Sequence, residues 1–165
     1  MKKLAYLFIA FALLIVTKSQ AQSEYKSAIG GRAGLPFAGS IKHFISRAGA
    51  LEGYAGFISK YGTGVNITTG GMYQHHFPIG DIDGFKWYVG GGALVQFFSY
   101  KKYTNNTNDN YAEAAFGLNG VGGVDYKFKS IPLNVSADFM PTIFLNETID
   151  NFLPYGGIAV RYTFH

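Results

Sequence analysis

Apolar and polar residues alternate along much of this chain with a period of two, and this pattern restricts the fold more than any other feature. The clearest stretch is residues 156–164, where one parity carries Ile, Val, Tyr and Phe and the other carries Gly, Ala, Arg and Thr. Because successive side chains of a β-strand point to opposite faces, this stretch predicts a strand with one apolar and one mixed face. Beyond the N-terminal segment, no run of ten or more residues shows the 3.6-residue spacing of an amphipathic helix.

Repetition of this alternation predicts eight strands. Eight is an even number and the smallest usual size of a transmembrane barrel, and most of the strands have the roughly 9–11 residues needed to cross a bilayer. The sequence therefore predicts an all-β fold, an eight-stranded antiparallel up-and-down transmembrane β-barrel with its apolar faces toward lipid. The second strand is short and fits either parity. The predicted strands are residues 27–35, 40–46, 50–59, 65–77, 85–97, 112–128, 133–143 and 156–164.

The N-terminus has the layout of a secretory signal peptide. Lys2 and Lys3 precede an unbroken apolar run at residues 4–16, and a small-x-small cleavage pattern ends at Ala21. The run is 13 residues long, short of the roughly 18–20 that a transmembrane helix needs. The sequence predicts a signal peptide at residues 1–21 and an outer-membrane barrel domain at residues 22–165, with a retained membrane anchor as the alternative.

Composition agrees with a barrel and gives no sign of a nucleic-acid partner. Loss of Lys2, Lys3 and Lys18 with the signal peptide leaves 11 basic against 10 acidic residues, a net charge of +1. The mature chain keeps no basic run of the kind that grips phosphates. With no Cys, disulfides and thiolate metal sites are excluded, so a closed hydrogen-bonded barrel has to supply the stability. The 22 Gly and 28 aromatic residues (15 Phe, 12 Tyr, 1 Trp) suit a narrow lumen and two membrane interfaces.

Polar and turn-forming residues separate the predicted strands. With the N-terminus on the periplasmic side, the longest and most polar connection, at residues 99–111, lies outside the cell, as is typical of such barrels. The other predicted outer loops are residues 36–39, 60–64 and 146–152, and the predicted inner turns are residues 47–49, 78–84 and 129–131.

Several motifs resemble those of a family, the small, largely uncharacterised outer-membrane β-barrel proteins of Bacteroidetes, which are porin-like and OmpW-like. The resemblance covers nearly all of the mature chain and implies an eight-stranded barrel in the outer membrane, but it carries little function. Such barrels usually end in an aromatic residue that the assembly machinery reads, whereas here His165 follows Phe164. The motifs are GSIKHFIS (39–46) with ALEG (50–53), YQHHFP (73–78), WYVGGGA (87–93), GVGGVDYKF (120–128) with IPLNVSAD (131–138), and GGIAVRYTF (156–164).

Nine charged residues share the parity predicted to face the barrel interior. Five are basic and four are acidic, and unpaired charges in a dry interior are costly, so the near balance predicts mutual pairing. We interpret the set as a structural network that plugs a narrow barrel, because eight strands leave an interior that side chains just fill. The alternative is a selective pore or a catalytic set of carboxylates. The nine are Arg32, Lys42, Glu52, Lys86, Glu113, Asp125, Lys127, Asp138 and Arg161.

No motif predicts catalysis or a bound cofactor. His75 and His76 are adjacent, so a strand sends them to opposite faces and they cannot chelate one metal together. The glycine clusters at residues 90–92 and 120–123 lack the strand–loop–helix context and the Gly-Lys-Ser/Thr of a phosphate loop. We predict no catalytic, cofactor or metal residues, and a protein that is not an enzyme.

The sequence thus predicts an outer-membrane protein with a structural role or a minor role in surface binding or passage. The alternatives are a lipid-modifying outer-membrane enzyme, a narrow pore for small solutes, and a soluble lipocalin-like barrel, which the apolar outer face disfavours. The predicted partners are outer-membrane lipid and, during insertion, the barrel-assembly machinery; we expect a monomer and no nucleic acid.

Overall fold

A computed structural model describes residues 25–60, 64–104, 107–145 and 152–164, with side chains except at positions 60, 64 and 99–112. The predicted signal peptide lies outside these residues and stays a prediction. Among the described residues, no helix is long and apolar enough to cross a membrane. The eight strands are β1 (Ser27–Leu35), β2 (Phe37–Phe44), β3 (Gly49–Lys60), β4 (Gly64–Pro78), β5 (Phe85–Thr104), β6 (Thr107–Lys127), β7 (Leu133–Phe144) and β8 (Phe152–Phe164).

The strands form one closed antiparallel barrel. Each strand pairs with the next along the chain, and β1 closes the barrel by pairing with β8 from Ser27↔Phe164 to Leu35↔Gly156. The predicted fold class, an eight-stranded antiparallel up-and-down barrel, is confirmed. We call the end that carries residues 25 and 164 the inner end of the barrel and the opposite end the outer end.

Side chains segregate between the two faces of the barrel wall as the alternation predicts. On β2, Phe37 and Ile41 are 55% and 52% exposed, while Ser40 and Lys42 are 5% and 0% exposed. The same contrast holds around the barrel, so the apolar surface points outward and most charged and amide side chains point into the lumen.

Two of the predicted outer loops are wrong. Residues 36–39 were expected to be a loop, but only Pro36 separates β1 from β2, and Gly39 is a strand residue facing Gly31. Consequently β2 begins at Phe37, three residues before its predicted start at residue 40. Glycine is common in loops, but here it occupies the outward face of a strand, where it leaves the alternation intact.

Within the predicted loop at residues 99–111, residues 99–104 instead continue β5 and residues 107–111 belong to β6, while residues 105–106 lie outside the described residues. The two strands stay paired as far as Thr104↔Thr107. Pairing of β5 with β4 stops at Ile67↔Phe97, so the last seven residues of β5 belong to a two-stranded ribbon beyond the barrel wall. The polarity of this stretch indicated contact with solvent, and solvent contact does not prevent strands from pairing with each other.

The inner turns lie close to their predicted positions, at residues 45–48, 79–84 and 128–132. The longest contains Gly80 and Gly84 at φ 55° and 82°, a left-handed conformation that favours glycine. Asp83 in this turn binds Lys129 of the neighbouring turn at 2.5 Å. The Lys129 ammonium holds the pKa of the Asp83 carboxyl below its usual value.

Candidate functional site: the charged interior

Six of the nine predicted interior charges form one connected layer in the lumen. Glu52 is its centre, because Arg32, Arg161 and Lys42 all approach it. Arg32 Nη1 lies 3.0 Å from Glu52 Oε1, Arg161 Nη2 binds the same oxygen, and Lys42 Nζ lies 4.0 Å from Oε2. These four side chains are at most 2% exposed.

Two further carboxylates complete the layer. Asp138 accepts both terminal nitrogens of Arg32, with Nη2–Oδ1 at 2.6 Å and Nη1–Oδ2 at 3.1 Å. Asp125 accepts the Lys42 ammonium at 2.9 Å. Three cations therefore face three carboxylates, and every one of the six has an opposite charge within 4.0 Å. Buried charges are tolerated under this condition of mutual pairing and additional hydrogen bonding.

Neutral side chains on the same parity supply the additional hydrogen bonds. Arg161 donates through Nε to Ser40 and through Nη1 to Ser136, both at 2.8 Å. The sequence predicted the inward direction of several of these residues but not their bonding, because the hydrogen bonds join strands that are distant along the chain. The other bonds are Gln74 Nε2 to Glu52 at 2.8 Å, Asn134 Nδ2 to Asp125 at 2.8 Å and Tyr88 Oη to Asp138 at 2.7 Å.

The other three predicted interior charges lie outside this layer. Lys86 is 8% exposed near the inner end, with Nζ 5.9 Å from the centre of the Phe44 ring. Lys127 sits at the inner rim and donates to the carbonyl of Ile131 at 3.1 Å. Glu113 is half-buried on β6, toward the outer end.

Apolar side chains form a layer in the outer half of the lumen; inward parity predicts bulk there at Met72, whereas the packing of the layer is visible only in the structure. Leu94, Met140 and Phe144 are 2%, 0% and 3% exposed and belong to one cluster with Met72 and Tyr155. All of them occupy inward parity, so the alternation itself held the signal. These apolar residues alternate in sequence with outward residues in the same way as the charged residues of the lumen do.

Glycines make room for only some of the lumen's bulky side chains. A Cβ on Gly70 would lie 2.7 Å from the Tyr54 hydroxyl. One on Gly123 would lie 2.9 Å from the Tyr88 ring and closer still, at 2.5 Å, to the backbone carbonyl of Ala137. Inward parity predicts the same role for Gly90 and Gly92. There a Cβ would instead meet backbone carbonyls of β4, at 1.8 Å and 2.1 Å, so these two glycines allow close approach of the strands.

The two adjacent histidines point to opposite faces. His76 is fully buried in the lumen, with ring centroids 4.9 Å from both Phe44 and Tyr88, and neither ring nitrogen has a hydrogen-bond partner. His75 lies on the outer side, where its Nδ1 is 3.1 Å from the Tyr73 hydroxyl. Without a bonded Ser or carboxylate, His76 is not arranged as a general base. The described part of the chain contains no group of three or more His, Cys, Asp or Glu suited to a metal ion.

Comparison with known proteins bears on the fold. No protein-family model matches the chain, and no curated protein matches its sequence. Among solved structures, the chain is similar to the N-terminal beta-barrel domain of Pseudomonas aeruginosa OprF, with a TM-score of 0.60 and 16% sequence identity. The similarity covers 89% of this chain and 100% of that chain. At this identity the likeness concerns the barrel fold.

Proposed function

We propose that this protein is an outer-membrane β-barrel with a structural or porin-like role, whose lumen is closed to solutes by its own side chains. One observation carries the membrane assignment. Among strand residues with described side chains, every Asp, Glu, Lys and Arg has inward parity, and the outward parity carries none. A soluble barrel needs a polar exterior, whereas lipid selects this distribution.

Aromatic residues on the outward face support a membrane of ordinary thickness. On each of β5, β6 and β8, one outward aromatic residue lies near the inner end, and an outward Phe lies ten residues away from it toward the outer end. Ten residues span about 33 Å along a strand, or about 25 Å along the axis of a barrel whose strands tilt by 35–45°, and an apolar band about 25 Å tall is usual. The pairs are Trp87 with Phe97, Tyr126 with Phe116, and Tyr162 with Phe152.

Closure of the lumen is supported by two successive layers. A solute entering from the inner end first meets the ion-paired layer around Glu52 and then the apolar layer around Met140. The Glu52 and Met140 residues are 1% and 0% exposed. An eight-stranded barrel has room for little more than side chains. A structural role follows more directly from this packing than passage does.

The proposal also covers where the protein is located, how it is processed and which family it resembles. The inner end faces the periplasm, the signal peptide at residues 1–21 is removed, and the assembly machinery inserts the chain as a monomer. These assignments rest on the sequence, as do the Bacteroidetes source and the OmpW-like relationship. No bonded catalytic arrangement among the described residues favours the lipid-modifying enzyme.

Planar-bilayer conductance of the purified protein tests the closed lumen. The expected result is the absence of a steady open level in protein whose insertion is verified by protease protection. A steady, ion-selective conductance that changes its selectivity in Arg161→Ala, with stability unchanged, would establish a pore instead.

A further inference from the structure

A groove of about 620 Å³ lies on the outward-facing surface of strands β1–β4, the surface that points away from the lumen. Its outward floor consists of small residues, Gly39, Gly53 and Ala55, which leave the backbone uncovered. Ile29 and Ile41 stand beside it, 53% and 52% exposed. Outward glycines also occur on β5 and β6, at positions 91, 120 and 122, but there they lie among bulky side chains such as Leu118 and Phe139, which are each 54% exposed.

Basic side chains lie at the inner end of the same four strands. Lys26 immediately precedes β1, and Arg47 lies in the turn after β2; both are exposed. His43 is held at its Nδ1 by the Ser27 hydroxyl at 2.8 Å. His43 follows Ile41 on the outward face of β2, about 7 Å further toward the inner end. Within residues 25–60 and 64–78 the one acidic residue is Glu52, which points into the lumen.

We propose that this face binds one anionic phospholipid, with an acyl chain in the groove and its phosphate at Lys26 and Arg47. The inference rests on the proposed membrane location, since lipid is the medium that then surrounds the groove. A phospholipid matches the order of features along the strands, because the apolar groove lies along the middle of the strands and the two cations lie beyond it at the inner end, the level of a bilayer interface.

Charge also argues against a second copy of the chain in the groove. Two barrels in one membrane that share this face about a two-fold axis along the membrane normal would bring both Lys26–Arg47 pairs to one level. Like charges would then approach each other with no acidic residue of this face between them. A phosphate provides the missing opposite charge.

Native mass spectrometry of the full mature chain, released from vesicles of equal phosphatidylglycerol and phosphatidylcholine, tests the proposal. The wild type is expected to retain one phosphatidylglycerol in preference to phosphatidylcholine. Lys26→Gln combined with Arg47→Gln is expected to lower that preference roughly fivefold for each cation removed.

Filling the groove is the second arm of the test. A Cβ on Gly53 comes no nearer than 3.8 Å to another atom, the Ile41 Cγ2, so Gly53→Val fits the fold and occupies the groove. Gly122→Val is the matched control, since a Cβ there meets nothing within 4 Å and lies on β6, away from the groove. Lipid retention is expected to fall in Gly53→Val and to persist in Gly122→Val.

Protease protection in the same vesicles separates this inference from the proposed function. Protected protein that shows no lipid preference, or equal retention by both glycine variants, would overturn the lipid site and leave the membrane barrel standing. Dimers lost in Gly53→Val would identify a second copy as the occupant and likewise overturn it. Failure of the protein to become protected in these vesicles would overturn both proposals.

Discussion

Arg32 and Asp138 stand 106 residues apart in the sequence, yet two hydrogen bonds of 2.6 Å and 3.1 Å join the guanidinium to both carboxylate oxygens. They belong to β1 and β7, which are separated in the barrel by β8. The pair therefore passes over β8 on the lumen side and joins two strands that are not neighbours. Through Glu52, which also binds Arg32, the bridge extends to β3.

Removal of Arg161 is expected to destabilise the barrel strongly. Balance of charge predicts an inward carboxylate as its partner without saying which, and the structure places Arg161 on Glu52, Ser40 and Ser136. Arg161→Ala deprives all three of a buried donor, and breaking a buried ion pair costs about 3–5 kcal/mol. The free energy of unfolding in urea, with the protein in lipid vesicles, measures the loss.

Lys129→Ala is the control for that measurement. It breaks the Lys129–Asp83 pair, whose side chains are 63% and 72% exposed, so no measurable change is expected. Equal stability of Arg161→Ala and the wild type would show that the charged layer does not stabilise the fold.

Glu52→Gln is expected to be the most damaging of the three isosteric carboxylate substitutions. It neutralises the charge shared by Arg32, Arg161 and Lys42, whereas Asp125 and Asp138 each bind one cation directly. Parallel unfolding titrations of Glu52→Gln, Asp125→Asn and Asp138→Asn give the order. A smaller loss for Glu52→Gln than for either Asp variant would contradict the central position of Glu52.

A charge on the outer face should cost most near the membrane midplane. On β5 the aromatic pair Trp87 and Phe97 brackets Ala93, so Ala93→Arg is expected to cost about 2–4 kcal/mol. Val65 lies on β4, two residues beyond Ile67, which pairs with the outer aromatic residue Phe97, so Val65→Arg is expected to cost about 0–1 kcal/mol. Val89 and Leu118 each lie two residues from an aromatic residue of such a pair, on the side toward the midplane, so Val89→Arg and Leu118→Arg should cost an intermediate free energy. Equal losses at Ala93 and Val65 would place the membrane elsewhere.

Processing and location are open to a direct check. We expect the mature protein to begin at Gln22 and to fractionate with the outer membrane. Edman sequencing of the protein from fractionated cells reads the N-terminus, and a soluble periplasmic form with that N-terminus would refute the location.

Strand number and side-chain direction were predictable from the sequence, because both depend on a period of two that each strand carries by itself. The stretches around Val160, Val124 and Ile67 each showed it without reference to any other strand. Ends of strands were less predictable. Gly39 and the polar residues beyond Phe98 have loop-like composition, and only their pairing partners decide that they belong to strands.

Partners within the charged layer could not be predicted. Balance of charge indicated pairing, but Arg161 reaches Glu52 from β8 to β3 across the lumen. Such contacts depend on the stagger of strands around the closed barrel and on the reach of long side chains. Neither quantity is encoded in any single strand.

The ribbon formed by the end of β5 and the start of β6 extends beyond the outer end of the barrel. Seven residues of β5 continue past the last pairing with β4, and at about 3.3 Å each they extend roughly 23 Å. On the same scale the ten residues that cross the apolar band extend about 33 Å, so the ribbon is about two-thirds as long as that stretch of strand. In the proposed orientation, an epitope carried at the tip would stand clear of short surface sugars, where an antibody could reach it on intact cells.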